Sequence, residues 1–144
     1  MTLDTSALLY LLGFGSWALF LLFALVAGRG LQVVSGRRRA DAFPPYHYEP
    51  AEFLSRLSRA YQNTLELLGV VIVIAGAAMA VGNDLAGQLL PWILAARIGQ
   101  SLIHLIGVNH WLVQIRFAFL LVQMVLLAWL ALDTFPVLCD LIKP

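Results

Sequence analysis

The sequence predicts an all-α membrane protein, a bundle of four transmembrane helices, and three observations carry that prediction. Of 144 residues, 61% are hydrophobic and 12% are charged, roughly half the charged share of a soluble domain. The apolar residues fall in four runs, each close to the roughly 20 residues that cross about 30 Å of hydrocarbon. Those runs are continuous and rich in Leu and Ala, unlike the alternating segments of about ten residues that build membrane barrels. Composition therefore excludes a cytosolic globular enzyme, a disordered segment and a nucleic-acid-binding module. A net charge of +1 leaves no global electrostatic footprint for an acidic partner. The length suits a single four-span domain over residues 1–144.

The first span is expected over about 6–27, Ser6 to Ala27, and holds no charge. Asp4 precedes it and the basic residues follow it, the reverse of a cleavable signal, so the span is expected to stay in the mature protein. A polar loop follows over about 29–52, where Pro44, Pro45 and Pro50 break any helix. The second span is expected over about 63–81, the third over about 85–108 and the fourth over about 111–132, with short connections at Gly82–Asp84 and Gly107–His110. Arg29, Arg37, Arg38, Arg39, Arg56 and Arg59 flank the long loop, and Arg97 and Arg116 lie toward the connection between spans three and four. Lys143 alone among the basic residues falls at the other end, with Asp4, Asp84, Asp133 and Asp140. The positive-inside rule then puts both termini in the periplasm or lumen and the arginine-rich loops in the cytoplasm.

Ionisable and amide side chains recur at helical spacing inside three of the spans. Arg56, Arg59, Asn63 and Glu66 step by three, four and three, so they share one face of the helix entering span two. The same register continues through Val70, Val73 and Ala77, and this face is expected to turn toward neighbouring helices. Arg97, Gln100, Ser101 and His104 occupy one face of span three, and Arg116 and Gln123 stand seven apart on span four. An acidic residue inside hydrocarbon costs about 2.5–3.5 kcal/mol and turns to a bundle interior or a polar cavity. Span three is expected to offer Glu66 a partner, and Arg59, Arg97 or Arg116 is the cation expected beside it. The stripes hold more arginine than one glutamate neutralises, which points to an anionic ligand rather than to helix-to-helix hydrogen bonding alone. His47 and His110 have no ligand-spaced partners, and the single Cys139 excludes both a cysteine metal site and an intrachain disulfide. No metal is expected. Gly69 and Gly76 suit close helix packing.

Arg59-Ala60-x-x-Asn63-x-x-Glu66, preceded by Arg56, resembles the signature of the MAPEG family, the membrane-associated proteins of eicosanoid and glutathione metabolism. Leu31-Gln32-Val33-Val34-Ser35-Gly36-Arg37-Arg38, with Phe43-Pro44-Pro45 and Pro50-Ala51-Glu52-Phe53, is similar to the first cytoplasmic loop of that family's leukotriene C4 synthase branch. The Arg97 helix followed by Arg116 is a third likeness. The resemblance implies a bundle that assembles as a homotrimer, with glutathione as co-substrate bound between subunits and open to the cytoplasm. It implies that Arg59, Asn63 and Glu66 hold glutathione, the arginine on a carboxylate and the glutamate on the α-amino group. Arg37 or Arg38 and Arg116 match the arginines placed near the glutathione carboxylates and thiol. Arg38 and Arg116 are taken as the catalytic pair, and Arg37, Arg97, Gln100 and His104 join the binding set. Gln100 stands where family members often carry Tyr or His, His104 where a Tyr is common, and Phe117, Phe119 and Leu120 follow Arg116 in place of Ser or Tyr.

The expected function is a membrane-embedded glutathione-dependent transferase or peroxidase acting on lipophilic electrophiles that arrive from the bilayer. A cationic setting lowers the pKa of a thiol and so supplies the nucleophile. The alternative is a non-catalytic membrane lipid-binding or scaffold protein of the same family. Membrane lipids are the expected surroundings, and nucleic acid is not an expected partner.

Overall fold

A computed structural model of the chain describes residues 5–39 and 52–142. Among them run four helices, α1 (Thr5–Val34), α2 (Phe53–Ala80), α3 (Leu85–Ile106) and α4 (His110–Ile142). Each is long and apolar enough to cross a membrane, and the chain is an integral multi-pass membrane protein. The Phe43-Pro44-Pro45 and Pro50-Ala51 stretches, His47, Asp4 and Lys143 lie outside the described residues.

Three helices outrun the spans expected from hydropathy, for reasons the packing supplies. α2 starts at Phe53 rather than near Asn63 because its first three turns bury Leu57 and Ala60 and pack Leu54 and Tyr61 against Leu21 and Leu25 of α1. α1 continues seven residues past Ala27, so the connecting segment begins at Ser35 and not at Arg29. α4 runs ten residues past Leu132, giving a helix of about 50 Å against a hydrocarbon thickness of about 30 Å. Asn83 ties this extension down by donating to Asp133 Oδ2 at 2.9 Å and Thr134 Oγ1 at 3.1 Å. α3 ends two residues early, at Ile106.

The two short connections end in side-chain caps. Gly82 takes φ +72° between α2 and α3, a conformation that costs a residue with a Cβ. Asn83 Oδ1 then accepts from Leu85 N at 3.0 Å, and at the other end Asn109 Oδ1 accepts from Leu112 N at 2.8 Å. Each satisfies a backbone donor that the first turn of a helix leaves unpaired.

α2 and α3 form the centre. α1 packs on both of them, α4 packs on both from the other side, and α1 and α4 do not touch. Away from the arginine-rich end, the core is apolar and built on small residues: Ala7, Ala75, Ala78 and Ala86 with Phe14, Val71, Leu90, Ile93 and Leu130. Small side chains let helix backbones approach where lipid offers no hydrophobic drive. Gly99 does the same between α3 and α4, since a Cβ there would stand 2.9 Å from Phe119 Cζ. A Cβ added at Gly69 or Gly76 would meet nothing within 4 Å, so neither glycine is needed for close helix approach within the chain. The face of α2 that continues from Glu66 through Val70 (47% exposed) and Val73 (70% exposed) is likewise bare. The expectation that this face turns toward neighbouring helices therefore fails at Val70 and Val73 within one chain.

Candidate functional site

Toward the arginine-rich end the interior changes from apolar to polar. Thr64, Arg97, Gln100, Ser101, His104 and Gln123 are all buried there, and hydrogen bonds hold most of them in place. Ser101 Oγ donates to Arg97 O at 2.9 Å and accepts from Trp17 Nε1 at 3.2 Å, which ties α3 to α1. Thr64 Oγ1 donates to Ala60 O at 2.8 Å. Gln123 Nε2 donates to Gln100 Oε1 at 3.0 Å and to Phe119 O at 2.8 Å, crossing from α4 to α3. Arg56 Nε donates to Leu105 O at 3.1 Å, closing one of the carbonyls that the last turn of α3 leaves open.

These bonds shape a cleft among α2, α3 and α4. Its outer part, about 470 Å³, is lined by Arg59, Asn63 and Glu66 from α2, Gln100 and His104 from α3, and Arg116, Phe117 and Leu120 from α4. A smaller inner part, about 210 Å³, shares Asn63, Glu66, Gln100 and Leu120 and reaches Arg97. Seven of the nine residues expected from sequence thus meet in one place: Arg59, Asn63, Glu66, Arg97, Gln100, His104 and Arg116. The helical spacing explains this, since each stripe is one face of one helix and the three faces converge.

Glu66 and Arg97 are not joined as an ion pair. Arg97 is 2% exposed, and its Nε is buried without a hydrogen-bond partner. Glu66 is the acidic group whose field reaches it. Among the described residues Glu66 forms no ion pair, and its side chain lies exposed at the cleft wall. Arg116 donates from Nη1 to His104 Nδ1. Glu66 is the one acid among the lining residues, beside Arg59, Arg97 and Arg116, so the lining offers three cationic side chains and one open carboxylate.

Arg37 and Arg38 are not brought to this cleft within the chain. Arg37 borders a separate groove of about 390 Å³ between α1 and α2, lined by Ala24, Gly28, Leu31, Leu54 and Leu57. Arg38 Nη2 pairs with Glu52 Oε1 at 2.6 Å. Sequence reasoning missed that pairing, which joins the two ends of the polar loop. It also took Arg56 only as part of a polar stripe, whereas Arg56 caps α3, and left Gln123 out of the site although its seven-residue spacing from Arg116 was visible. No group of three His, Cys, Asp or Glu side chains converges among the described residues in a way that could hold a metal.

Residues 7–135 match the model of the MAPEG family. No individual curated protein gives a significant match.

Proposed function

The chain belongs to the MAPEG family, and from that membership and its cleft we propose that it is a glutathione-dependent transferase or peroxidase acting on lipophilic electrophiles. One observation carries the reading: three helices converge on a cleft with three arginines, one asparagine and a single open glutamate. Glutathione has two carboxylates, one ammonium and a thiol, so it asks for that balance of charges. Arg59 and Asn63 would hold a carboxylate end, arginine by the forked geometry that suits carboxylates. Glu66 would take the ammonium, with Arg97 behind it. Gln100 adds a polar contact along the wall, and the His104 ring is bonded to Arg116.

Arg116 stands apart from these in kind. It shares its stretch of α4 with Phe117 and Leu120, so its guanidinium lies where the polar cleft meets an apolar wall. A thiolate held there has a cation beside it and an approach from lipid. In the transferase reaction the thiolate forms a carbon–sulfur bond, and the leaving group or an opened epoxide oxygen takes the electron pair. In the peroxidase reaction it attacks a peroxide oxygen and releases an alkoxide; a second glutathione then converts the sulfenic product to disulfide and water. A cation at the reacting centre in a low-dielectric setting stabilises such developing charge.

Assembly as a homotrimer fits the bare face of α2 that runs from Glu66 through Gly69, Val70 and Val73. In that arrangement Arg37 and Arg38 would reach a ligand only from an adjacent copy. The positive-inside bias supports a cleft that opens at the cytoplasmic end.

Calorimetric titration of glutathione into the purified protein tests the reading, followed by the ultraviolet absorbance of the bound thiolate and turnover with a chlorinated dinitrobenzene. Binding with thiolate formation and turnover is the expected result. Binding without turnover overturns catalysis, and absence of binding favours the non-catalytic scaffold reading, which Gln100 and Leu120 in place of hydroxyl-bearing side chains would suit.

A further inference from the structure

We infer that His104 is a positioning residue for Arg116, holding the guanidinium in the cleft through Nδ1 while leaving its charge unspent. This rests on the reading of Arg116 given above and adds the device that keeps it in place.

The argument begins with where Arg116 stands. It lies less than two turns into α4, whose first residue is His110, close to the membrane boundary expected at that end. Long cationic side chains near helix ends turn outward to the headgroup phosphates and water. Arg116 is instead partly buried against the cleft, in hydrogen-bond contact with His104 from the last turn of α3. The contact crosses from one helix to the other over the short Gly107–Asn109 connection.

The chemistry of the pair then assigns the ring's state. Arginine has donors and no acceptor, and it stays protonated in proteins. His104 Nδ1 must therefore present a lone pair to it, and the ring proton of the neutral imidazole sits on Nε2. Two consequences follow. With Nδ1 occupied by a donor, that nitrogen cannot take a proton from a thiol, so His104 is not the general base of the site. And a neutral acceptor restrains Arg116 without cancelling its charge, which a carboxylate in the same place would do. Glu66, the one acid lining the cleft, forms no ion pair with Arg116. The ring is itself fixed: it is 8% exposed, and the turn that carries it is held to α2 by the bond from Arg56 to Leu105 O.

The test has a spectroscopic arm and a kinetic arm, both on the full chain in detergent. With ¹⁵N-labelled histidine, the His104 ring, identified by its loss in His104→Asn, should show a protonated Nε2 and an unprotonated Nδ1. Arg116→Ala should remove that single-tautomer pattern. His104→Phe should lower kcat about tenfold and change the glutathione Kd by less than about threefold, the pattern of an interaction made in the transition state. His104→Asn places an amide oxygen where Nδ1 was and should recover most of the lost kcat, whereas His104→Gln, whose amide reaches the Nε2 position, should not. A ring protonated on Nδ1 in the unsubstituted protein overturns the inference. So does equal loss in His104→Phe and His104→Asn, or a loss confined to glutathione affinity, which would make His104 a plain ligand contact. Wild-type turnover in Arg116→Ala overturns the role of Arg116 itself and the positioning role with it. An impaired Arg116→Ala beside a mixed tautomer in the unsubstituted protein overturns the inference alone.

Discussion

Replacing Glu66 by glutamine removes one charge and keeps the shape of the side chain. Two effects follow from the geometry, and they separate by assay. The first is on ligand. An ammonium bound to a carboxylate makes a charge-assisted hydrogen bond, about 1.5–3 kcal/mol in net terms, and the amide keeps only the neutral share. Glu66 is open at the cleft wall and forms no ion pair among the described residues, so no internal contact has to break when a ligand arrives. The expected loss is therefore about 2 kcal/mol, roughly a 30-fold rise in the glutathione Kd. The second effect is on folding. Arg97 is 2% exposed and feels the field of Glu66. Breaking a tight buried pair costs about 3–5 kcal/mol, but Glu66 and Arg97 are not in ion-pair contact, which brings the expected cost down to about 1 kcal/mol. Calorimetry should thus show the large change, and thermal unfolding in detergent a drop of a few degrees. A glutathione Kd within twofold of the unsubstituted protein, with unfolding unchanged, would refute the placement of Glu66 at both the ammonium and Arg97.

Gly99→Val should be destabilising by about 1–3 kcal/mol, as overpacking is, because even the first added carbon meets Phe119 at 2.9 Å. A displaced α4 should weaken ligand binding in the same titration. Gln123→Leu should lower stability by about 1–2 kcal/mol, since Gln100 Oε1 loses its donor inside the bundle. Gln100→Leu combined with Gln123→Leu should recover part of that loss, and a double-mutant cycle by thermal unfolding reads the coupling directly. Glu52→Ala should change stability by less than about 1 kcal/mol, because the Arg38–Glu52 pair at 2.6 Å has both side chains 35% exposed. A larger drop, insensitive to salt, would show that the pair does more than join the ends of the loop.

Four spans were legible in the sequence because crossing hydrocarbon is a constraint along one dimension. Every backbone group in lipid must be bonded within its own helix, so the length and apolarity of each run were enough to mark it. The polar stripes were legible for a related reason. Spacings of three, four and seven put Arg59, Asn63 and Glu66 on one face, and Arg97, Gln100 and His104 on another, whatever those helices pack against. The resemblance carried by the Arg59 to Glu66 signature was legible too, and it named the family that matches residues 7–135.

The tertiary structure decided which faces meet. Helix ends beyond the hydrocarbon are set by packing and caps, so hydropathy could not see that α2 begins at Phe53 or that α4 runs to Ile142. Neighbourhood in three dimensions has no periodicity to read. Nothing in the spacing says that Gly99 rather than Gly69 or Gly76 lets two helices close up, or that Gln123 reaches Gln100. Arg37 and Arg38 looked equivalent to the other arginines in a one-dimensional count, yet Arg37 borders a groove of α1 and α2, Arg38 pairs with Glu52, and neither lines the cleft that holds Arg116. The sequence by itself determined how many helices cross and which face of each is polar, because those follow from local geometry and the thickness of the bilayer. Which polar faces share a cleft, and that Arg116 meets the His104 ring there, depended on the shapes of side chains packed between helices, and only the folded bundle specifies those contacts.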